Sequence, residues 1–300
     1  MLPSEIEVFI KKKKDQCEKL IQFGIWRGID SNNLRAWSKN FSSIDEKFFA
    51  SCLLDWLVYR NEEQVISMLY DLFTKHLHNQ WRIANNPLYN ESENPLLLLK
   101  RQNSQNVLRY VTAVTATDKG TKSGYTIVGI MNHHLEISSK LNIKNEQIPQ
   151  AYADGVRTFL FVDDLTGTGQ QMKSVLRESR LSEYDDVYVY VMLCAAHEMG
   201  YNEILKEFPF VKVLFAEYIP SDDNIFIQLP FREIELKDSD EFKNWYVEFM
   251  ESKGVKKNCS LGRGDLGLAY AFQSGIPNDS LPILYYTNEK LNRLLVKRGT

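Results

Sequence analysis

The side chains best suited to chemistry lie in one stretch, residues 158–174. Two adjacent acids, Asp163 and Asp164, follow a short apolar run, and two glycines, Gly167 and Gly169, follow the acids. Adjacent carboxylates do not hold a phosphate, but they suit hydroxyl groups or a bound Mg²⁺. Glycines let a ligand approach the backbone, and the amides at a helix start favour an anion. Together these features indicate a ligand with a phosphate and nearby vicinal hydroxyls, a ribose 5-phosphate.

Three better-known motifs are excluded at this position by the residues that stand there. A Walker loop requires Lys and then Ser or Thr after its second glycine, but Gly169 is followed by two glutamines. A dinucleotide-binding fingerprint requires a third glycine where Met172 stands. A haloacid-dehalogenase-type nucleophile requires a second Asp two positions after the first, where Leu165 or Thr166 is found.

The elements that position the acids are predicted from the pattern on either side of them. Phe159 to Val162 form a short apolar run, typical of a strand buried on both faces of a parallel sheet. A helical pattern follows Gly169, and it places Lys173 and Arg177 on the side away from the core. The expected unit is a strand, a turn and a helix, with Asp163 and Asp164 at the end of the strand. Ligands of open α/β sheets bind at that edge.

Two other interpretations of this stretch stay open. The turn could be an ordinary solvated connection in which the acids only stabilise the start of the helix. The site could also bind a nucleotide without catalysing a reaction.

Composition narrows the class of protein. The chain of 300 residues has a net charge of −3, which argues against binding nucleic acid through overall electrostatics. Lys11 to Lys14 is the one run of four bases, and both a solvated helix face and a nucleic-acid contact remain open for it. The four cysteines form no CxxC pair, so neither a zinc site nor a disulfide framework is predicted. The N-terminus has acids where a signal peptide needs bases, and no apolar run is long enough to cross a membrane. We therefore expect a cytoplasmic protein without a membrane partner.

The pattern changes once along the chain. Residues 1–84 carry apolar residues at helical spacing and are predicted to form an α-helical N-terminal region. Asn, Pro, Ser and Glu dominate residues 84–95, where we place a boundary. In residues 96–300 strands alternate with helices, which predicts an α/β domain with a parallel sheet. The predicted strands are 107–114, 125–131, 159–162, 187–195, 211–219, 269–272 and 281–286, and the predicted helices in this part are 133–141, 198–208 and 238–252.

The central stretch resembles the phosphoribosyltransferase signature: four apolar residues, two acids, a short turn ending Thr-Gly, and a helix. The match covers residues 159–171, FLFVDDLTGTGQQ. The resemblance implies a type I phosphoribosyltransferase-like parallel sheet with flanking helices. It also implies that Asp163 and Asp164 hold the ribose 2′ and 3′ hydroxyls of phosphoribosyl pyrophosphate (PRPP), with Mg²⁺ arriving on PRPP. The residues implied for the 5-phosphate loop are Leu165, Thr166, Gly167, Thr168, Gly169, Gln170 and Gln171. This sequence departs from the family at Gln171, where a Ser or Thr hydroxyl usually contacts the phosphate.

The polar, glycine-punctuated segment 115–124 is a candidate for a mobile loop. In the resembled family a loop in this part of the fold closes over pyrophosphate, often with a Lys. Lys119 and Lys122 are the candidates, and Lys122 is favoured because Ser123 and Gly124 follow it as hydroxyl and amide donors. The resemblance thus implies Asp163, Asp164 and Lys122 as catalytic residues. A plain hairpin turn between two strands explains the same segment equally well.

Motifs outside the central stretch resemble the phosphoribosyltransferase-like proteins of bacterial conflict systems, and this likeness spans nearly the whole chain. The motifs are Trp37-x-x-x-Phe41, Tyr59-Arg60, Lys122-Ser123-Gly124, Leu261-Gly262-x-Gly264 and IPNDSLPIL at 276–284. Such proteins occur as effectors beside anti-phage modules, including some retrons. The implied partners are PRPP or a nucleotide, and a reverse transcriptase with its RNA–DNA product or another defence subunit. The implied function is transfer or removal of a phosphoribosyl group, and the alternative is a catalytically inactive regulatory subunit that binds PRPP or a nucleotide.

Overall fold

The computed structural model describes residues 3–91, 94–100, 107–115, 123–228 and 238–297. It divides into two compact units, one formed by Met1–Glu62 together with Ser221–Thr300 and the other by Glu63–Pro220. This division does not coincide with the compositional boundary at residues 84–95, which stays a prediction about the sequence. None of the helices in the described ranges combines the length and the apolar composition needed to cross a bilayer.

Helices and strands alternate between residues 108 and 219, whereas the described residues on either side are mainly helical. The α-helices are α1 Pro3–Gln22, α2 Ser31–Ser38, α3 Ile44–Trp56, α4 Glu62–Asp71, α5 Leu77–Ile83, α6 Leu88–Glu91, α7 Pro95–Lys100, α8 Ser123–His134, α9 Ile148–Ala153, α10 Gln170–Ser179, α11 Glu198–Glu207, α12 Ile225–Gln228 and α13 Ser239–Ser252. The strands are β1 Val58–Arg60, β2 Leu108–Thr112, β3 Asn142–Ile143, β4 Thr158–Thr166, β5 Tyr188–His197, β6 Val211–Ile219 and β7 Tyr270–Phe272. A π-helical turn spans Leu72–His76, and 3₁₀ turns span Ser139–Leu141, Asn145–Gln147, Leu181–Glu183, Lys257–Cys259, Arg263–Asp265 and Pro282–Leu284.

The unit Glu63–Pro220 is built on a five-stranded parallel sheet in the order β3-β2-β4-β5-β6. All nine residues of β4 are buried, and so are all residues of β5 except Tyr188. Strands covered on both faces must be apolar throughout, which explains the continuous hydrophobic runs in this part of the sequence. Alternate residues of these strands, including Phe159, Phe161 and Val191, pack against Val175 and Ile204 of the helices. The parallel sheet with flanking helices that the sequence predicts is confirmed.

The other unit combines both ends of the described chain around an aromatic core. Phe49 of α3 lies with its ring centroid 5.5 Å from those of Trp245 and Tyr246 of α13. The indole nitrogen of Trp37 donates to the carbonyl of Ile283 at 2.7 Å. A two-stranded parallel sheet pairs β1 with β7. Residues more than 200 positions apart therefore form one core.

Several predicted elements are confirmed with small changes in their bounds. They are the strands predicted at 107–114, 159–162, 187–195, 211–219 and 269–272, and the helices predicted at 198–208 and 238–252. The sequence predicts an N-terminal region that is helical throughout, but strand β1 interrupts it.

Three predicted elements are wrong. Residues 125–131 are not a strand but part of helix α8, whose buried residues include Ile127 and Met131. A short run rich in β-branched residues fits a buried helix as well as a strand, and packing decides between them. The helix predicted at 133–141 is limited to the end of α8 and one 3₁₀ turn. The strand predicted at 281–286 is a 3₁₀ turn with Pro282 near its start, where proline is favoured in helices.

Candidate functional site

The two candidate acids lie inside strand β4, because the strand continues to Thr166 instead of ending at the acids as expected. Both side chains are buried, and each residue is only 4% exposed. Gly169 follows in the left-handed conformation with φ of 78°, and α10 begins at the next residue. The predicted order of strand, glycine turn and helix is confirmed. The acids lie within the buried strand, whereas the sequence predicts them at its end.

The carboxylate of Asp163 accepts hydrogen bonds on both oxygens. Oδ1 accepts from the hydroxyl of Ser123 at 2.6 Å and from the backbone amide of Asp164 at 2.9 Å. Oδ2 accepts from the side-chain amide of Gln171 at 3.1 Å. The same amide nitrogen of Gln171 also donates to the carbonyl of Ala113 at 3.1 Å. Ser123 on α8 and Gln171 on α10 therefore meet at one buried carboxylate.

The side chain of Asp164 bonds to the main chain of β4 just before the turn. Its Oδ1 accepts a hydrogen bond from the amide of Leu165 at 2.7 Å. This contact fixes the carboxylate against the residue at which the phosphate-loop candidate begins, so the orientation of Asp164 and the path of the turn are linked.

The pKa of Asp163 is raised well above the usual value for an Asp. The largest cause is burial, and the neighbouring Asp164 adds to it through its charge and a side-chain hydrogen bond. The hydroxyl of Ser123 and the amide of Asp164 act in the opposite direction because they stabilise the charged form. The folded protein thus retains a proton at this acid pair to a higher pH than a solvated Asp would.

Two glycines bring the turn after β4 into close contact with α11. A Cβ atom placed on Gly200 would lie 2.6 Å from the carbonyl oxygen of Gly167 and 2.9 Å from the hydroxyl of Thr166. A Cβ atom on Gly169 would lie 3.0 Å from the carbonyl oxygen of Gly200. Only glycines permit this approach. The packing of α11 against the turn therefore restricts the conformation that the turn can adopt.

Charged side chains join α10 to α11 beside the turn. The amine of Lys173 lies 2.6 Å from Glu203 and 3.8 Å from Glu207, and Arg177 bonds to Glu207 at 2.6 Å. The side chain of Lys173 is only 6% exposed, so the sequence interpretation that it faces away from the core is wrong. The hydrogen bond from Lys173 lowers the pKa of Glu203. These ion pairs join α10, which follows the turn, to α11, which packs against it.

The sequence interpretation gave Ser123 a different partner and did not identify His197 at this edge of the sheet. Ser123 was assigned as a donor to a pyrophosphate, but its hydroxyl bonds to Asp163. His197 ends β5, is buried, and accepts the amide of Met199 on Nδ1 at 3.1 Å as the N-cap of α11. Burial lowers the pKa of His197. A polar residue between an apolar strand and a helical pattern is a recognisable cap signal, whereas the Ser123 contact spans 40 positions and has no local signal.

Other predicted site residues are placed as follows. Thr166 and Gly167 are buried, Thr168 and Gln171 are half-buried, and Gln170 is exposed at the start of α10. Lys119 and Lys122 lie outside the described residues. Because α8 begins at Ser123, within segment 115–124, this segment leads into a helix and not a strand, and the alternative of a hairpin turn between two strands is wrong.

A parallel sheet with flanking helices, and an acid pair with a glycine turn at the carboxyl end of its central strand, together define a phosphoribosyltransferase-like protein. The family model described as PRTase-CE matches residues 34–298, and the chain belongs to that family. A comparison with curated proteins found no match. Family membership indicates phosphoribosyl transfer as the general class of chemistry.

We expect Gly200→Ala to lower the free energy of unfolding by about 1–3 kcal/mol, because the new methyl group would overlap the backbone of the turn. Helix propensity alone predicts the opposite sign, a gain of about 0.5–1 kcal/mol. Gly129→Ala in α8 is the matched control, since a Cβ atom there meets nothing within 4 Å. Urea denaturation of the three proteins measures both effects. If the two variants were stabilised equally, the turn would not depend on this contact.

We expect Asp163→Asn to change how stability depends on pH. A raised pKa means that the contribution of Asp163 is complete below the unfolded pKa of about 4 and is lost as pH rises through the folded pKa. The variant lacks this titration, so its stability relative to wild type should increase by up to about 1.4 kcal/mol per pH unit within that window. Urea denaturation across this pH range measures the difference. Exposed Asp185→Asn is the control, and parallel curves for Asp163→Asn and wild type would contradict the expectation.

Proposed function

We propose that this chain binds PRPP or a related ribose-5-phosphate nucleotide at the carboxyl end of β4 and transfers or removes a phosphoribosyl group. The observation that carries the proposal is the buried pair Asp163–Asp164, followed by a turn with Gly169 in the left-handed conformation at the start of α10. This arrangement offers carboxylates for hydroxyls beside a helix start for a phosphate.

In this proposal the 5-phosphate lies on the backbone amides between Thr166 and Gln170. The N-terminal end of α10 favours an anion there because the first amides of a helix have no partners within the helix. Gln171 takes no part in holding the phosphate, since its side-chain amide bonds to Asp163 and Ala113. The phosphate therefore depends on the main chain, with the half-buried Thr168 as the hydroxyl of the turn.

The ribose hydroxyls lie at the acid pair. Bond breaking at the anomeric carbon leaves positive charge on the ribose ring, and a carboxylate fixed in a buried site stabilises such charge without forming a covalent bond. No nucleophile or catalytic triad is required. The side chains of β4 would thus both orient the sugar and lower the barrier to transfer.

Mg²⁺ belongs to the proposal as part of the substrate. Both oxygens of Asp163 already accept hydrogen bonds, so this carboxylate is better placed to accept from donors than to ligate a metal ion directly. We assign Mg²⁺ to the oxygens of PRPP, and we retain Lys122 as the cation for pyrophosphate because the next residue, Ser123, contacts Asp163.

The proposed setting is a cytoplasmic effector of anti-phage defence, in a retron or a similar system. Its partner would be a reverse transcriptase with the RNA–DNA product of that enzyme, or another defence subunit. The family match and the motifs that extend from residue 37 to residue 284 support this setting.

A second candidate function is a catalytically inactive regulatory subunit that binds PRPP or a nucleotide. Two observations favour it: the internal hydrogen bonds that occupy Asp163, and Gln171 at the position where the resembled family has a hydroxyl. Binding without product formation distinguishes this candidate from the enzyme.

Calorimetric titration with PRPP and Mg²⁺ tests the proposal. We expect wild type to bind and Asp164→Asn to bind more weakly by about 1.5–3 kcal/mol, the range for a hydrogen bond to a charged group. Asp185→Asn, an exposed Asp→Asn change in the same unit, should bind as wild type does. Product analysis of the same samples separates the enzyme from the regulatory subunit. A folded wild-type protein that does not bind PRPP would overturn the PRPP proposal.

A further inference from the structure

Uncharged donors satisfy the carboxylate of Asp163. It accepts hydrogen bonds from the Ser123 hydroxyl, the Asp164 amide and the Gln171 side chain, and it also shares a side-chain hydrogen bond with Asp164. Within the described chain no cation lies within ion-pair distance of it. A buried carboxylate that already accepts three hydrogen bonds is costly to redirect, because each broken bond must be replaced.

The donors around Asp163 are themselves held by tight packing. A Cβ atom on Gly124 would lie 3.1 Å from the Thr112 side chain and 3.3 Å from the Ala113 amide, so α8 begins directly against the end of β2. This contact fixes Ser123, the residue before Gly124. The carbonyl of Ala113 in turn fixes Gln171. Residues at the end of β2 therefore support both side-chain donors.

The hydrogen bond from the Asp164 amide to Asp163 carries this support to the second acid. It fixes the backbone of Asp164, and the Asp164 carboxylate then bonds to the Leu165 amide in β4, just before the turn. A displacement of Asp163 would thus change the orientation of Asp164 and the path of the turn together.

We propose that the two acids have unequal roles: Asp164 contacts the ribose hydroxyls, and Asp163 is a positioning residue that Ser123 and Gln171 hold in place. This inference rests on the proposed function. It differs from the resemblance, which gives both acids to the ribose and position 171 to the phosphate.

The positioning role is tested first without any ligand. In Ser123→Ala and Gln171→Met we expect hydrogen exchange at the Asp164 and Leu165 amides to be at least about tenfold faster than in wild type, since each variant removes one support. Ser123→Thr keeps the hydroxyl and should restore the wild-type rate. Gln150→Met removes an exposed side-chain amide bond to a carboxylate, and Ser174→Ala removes an exposed hydroxyl bond to a backbone carbonyl. Both variants should leave these amides unchanged.

Carboxyl carbon NMR measures the pH at which Asp163 titrates. Loosened packing alone would admit water and lower this midpoint, whereas loss of a hydrogen-bond donor raises it. Removing a donor from a carboxylate disfavours its charged form, so the titration midpoint of Asp163 should move to higher pH in Ser123→Ala and Gln171→Met. Ser123→Thr should titrate as wild type does. An unchanged midpoint together with unchanged exchange would overturn the positioning role.

The unequal roles are tested by titrating PRPP and Mg²⁺ into the same proteins and into the two Asp→Asn variants. We expect Asp164→Asn to lose at least about tenfold more affinity than Asp163→Asn, and Ser123→Ala and Gln171→Met to resemble Asp163→Asn. Equal losses for the two acids, with full affinity in Ser123→Ala and Gln171→Met, would overturn the inference. If wild type does not bind PRPP, the proposed function and the ribose contact of Asp164 are both overturned, while the exchange and NMR results still decide the positioning role.

Discussion

The carboxylate of Asp163 is buried in a parallel sheet beside a second carboxylate, and the architecture of the site depends on how that group is accommodated. A buried charge without a partner would be strongly destabilising. Here a hydroxyl, a side-chain amide and a main-chain amide supply the compensation, and burial beside Asp164 raises the pKa of Asp163. Because α8, α10 and β4 each contribute one donor, the acid determines how three elements meet.

A second constraint is the close approach of the turn to α11. Gly169 and Gly200 leave no room for side chains between the backbones, and the ion pair of Lys173 with Glu203 lies beside this contact. The left-handed conformation of Gly169 therefore has two causes: glycine permits a positive φ, and the close packing against Gly200 leaves no room for a side chain. A turn fixed on both sides presents its amides in one orientation, as preorganised binding of an anion requires.

The sequence predicts the strands of the sheet and the helices after β4 and β5 because their signals are local: continuous apolar runs, glycines at turns and a helical stripe. It fails for α8, where a β-branched segment packs as a helix on the sheet. It also fails for Lys173. The helical pattern places this residue on the exposed side of α10, but its side chain is buried in an ion pair with Glu203 of α11. The candidate acids and the turn are identified from residue types and spacing. The contact of Ser123 with Asp163 arises from tertiary packing, which one sequence does not encode locally.

Gln171 shows how a departure from a motif changes a site without removing it. The side-chain amide nitrogen of Gln171 lies 3.1 Å from both Asp163 and the carbonyl of Ala113. This chain therefore has, in place of the hydroxyl usual in the resembled family, a side-chain amide that links Asp163 to the backbone of Ala113. If the turn binds an anion as proposed, its main-chain amides would hold that anion, and the hydrogen bonds of Asp163 and Asp164 would maintain the orientation of the turn. Ligand affinity would then depend on the rigidity of the turn more than on any one side chain at its end.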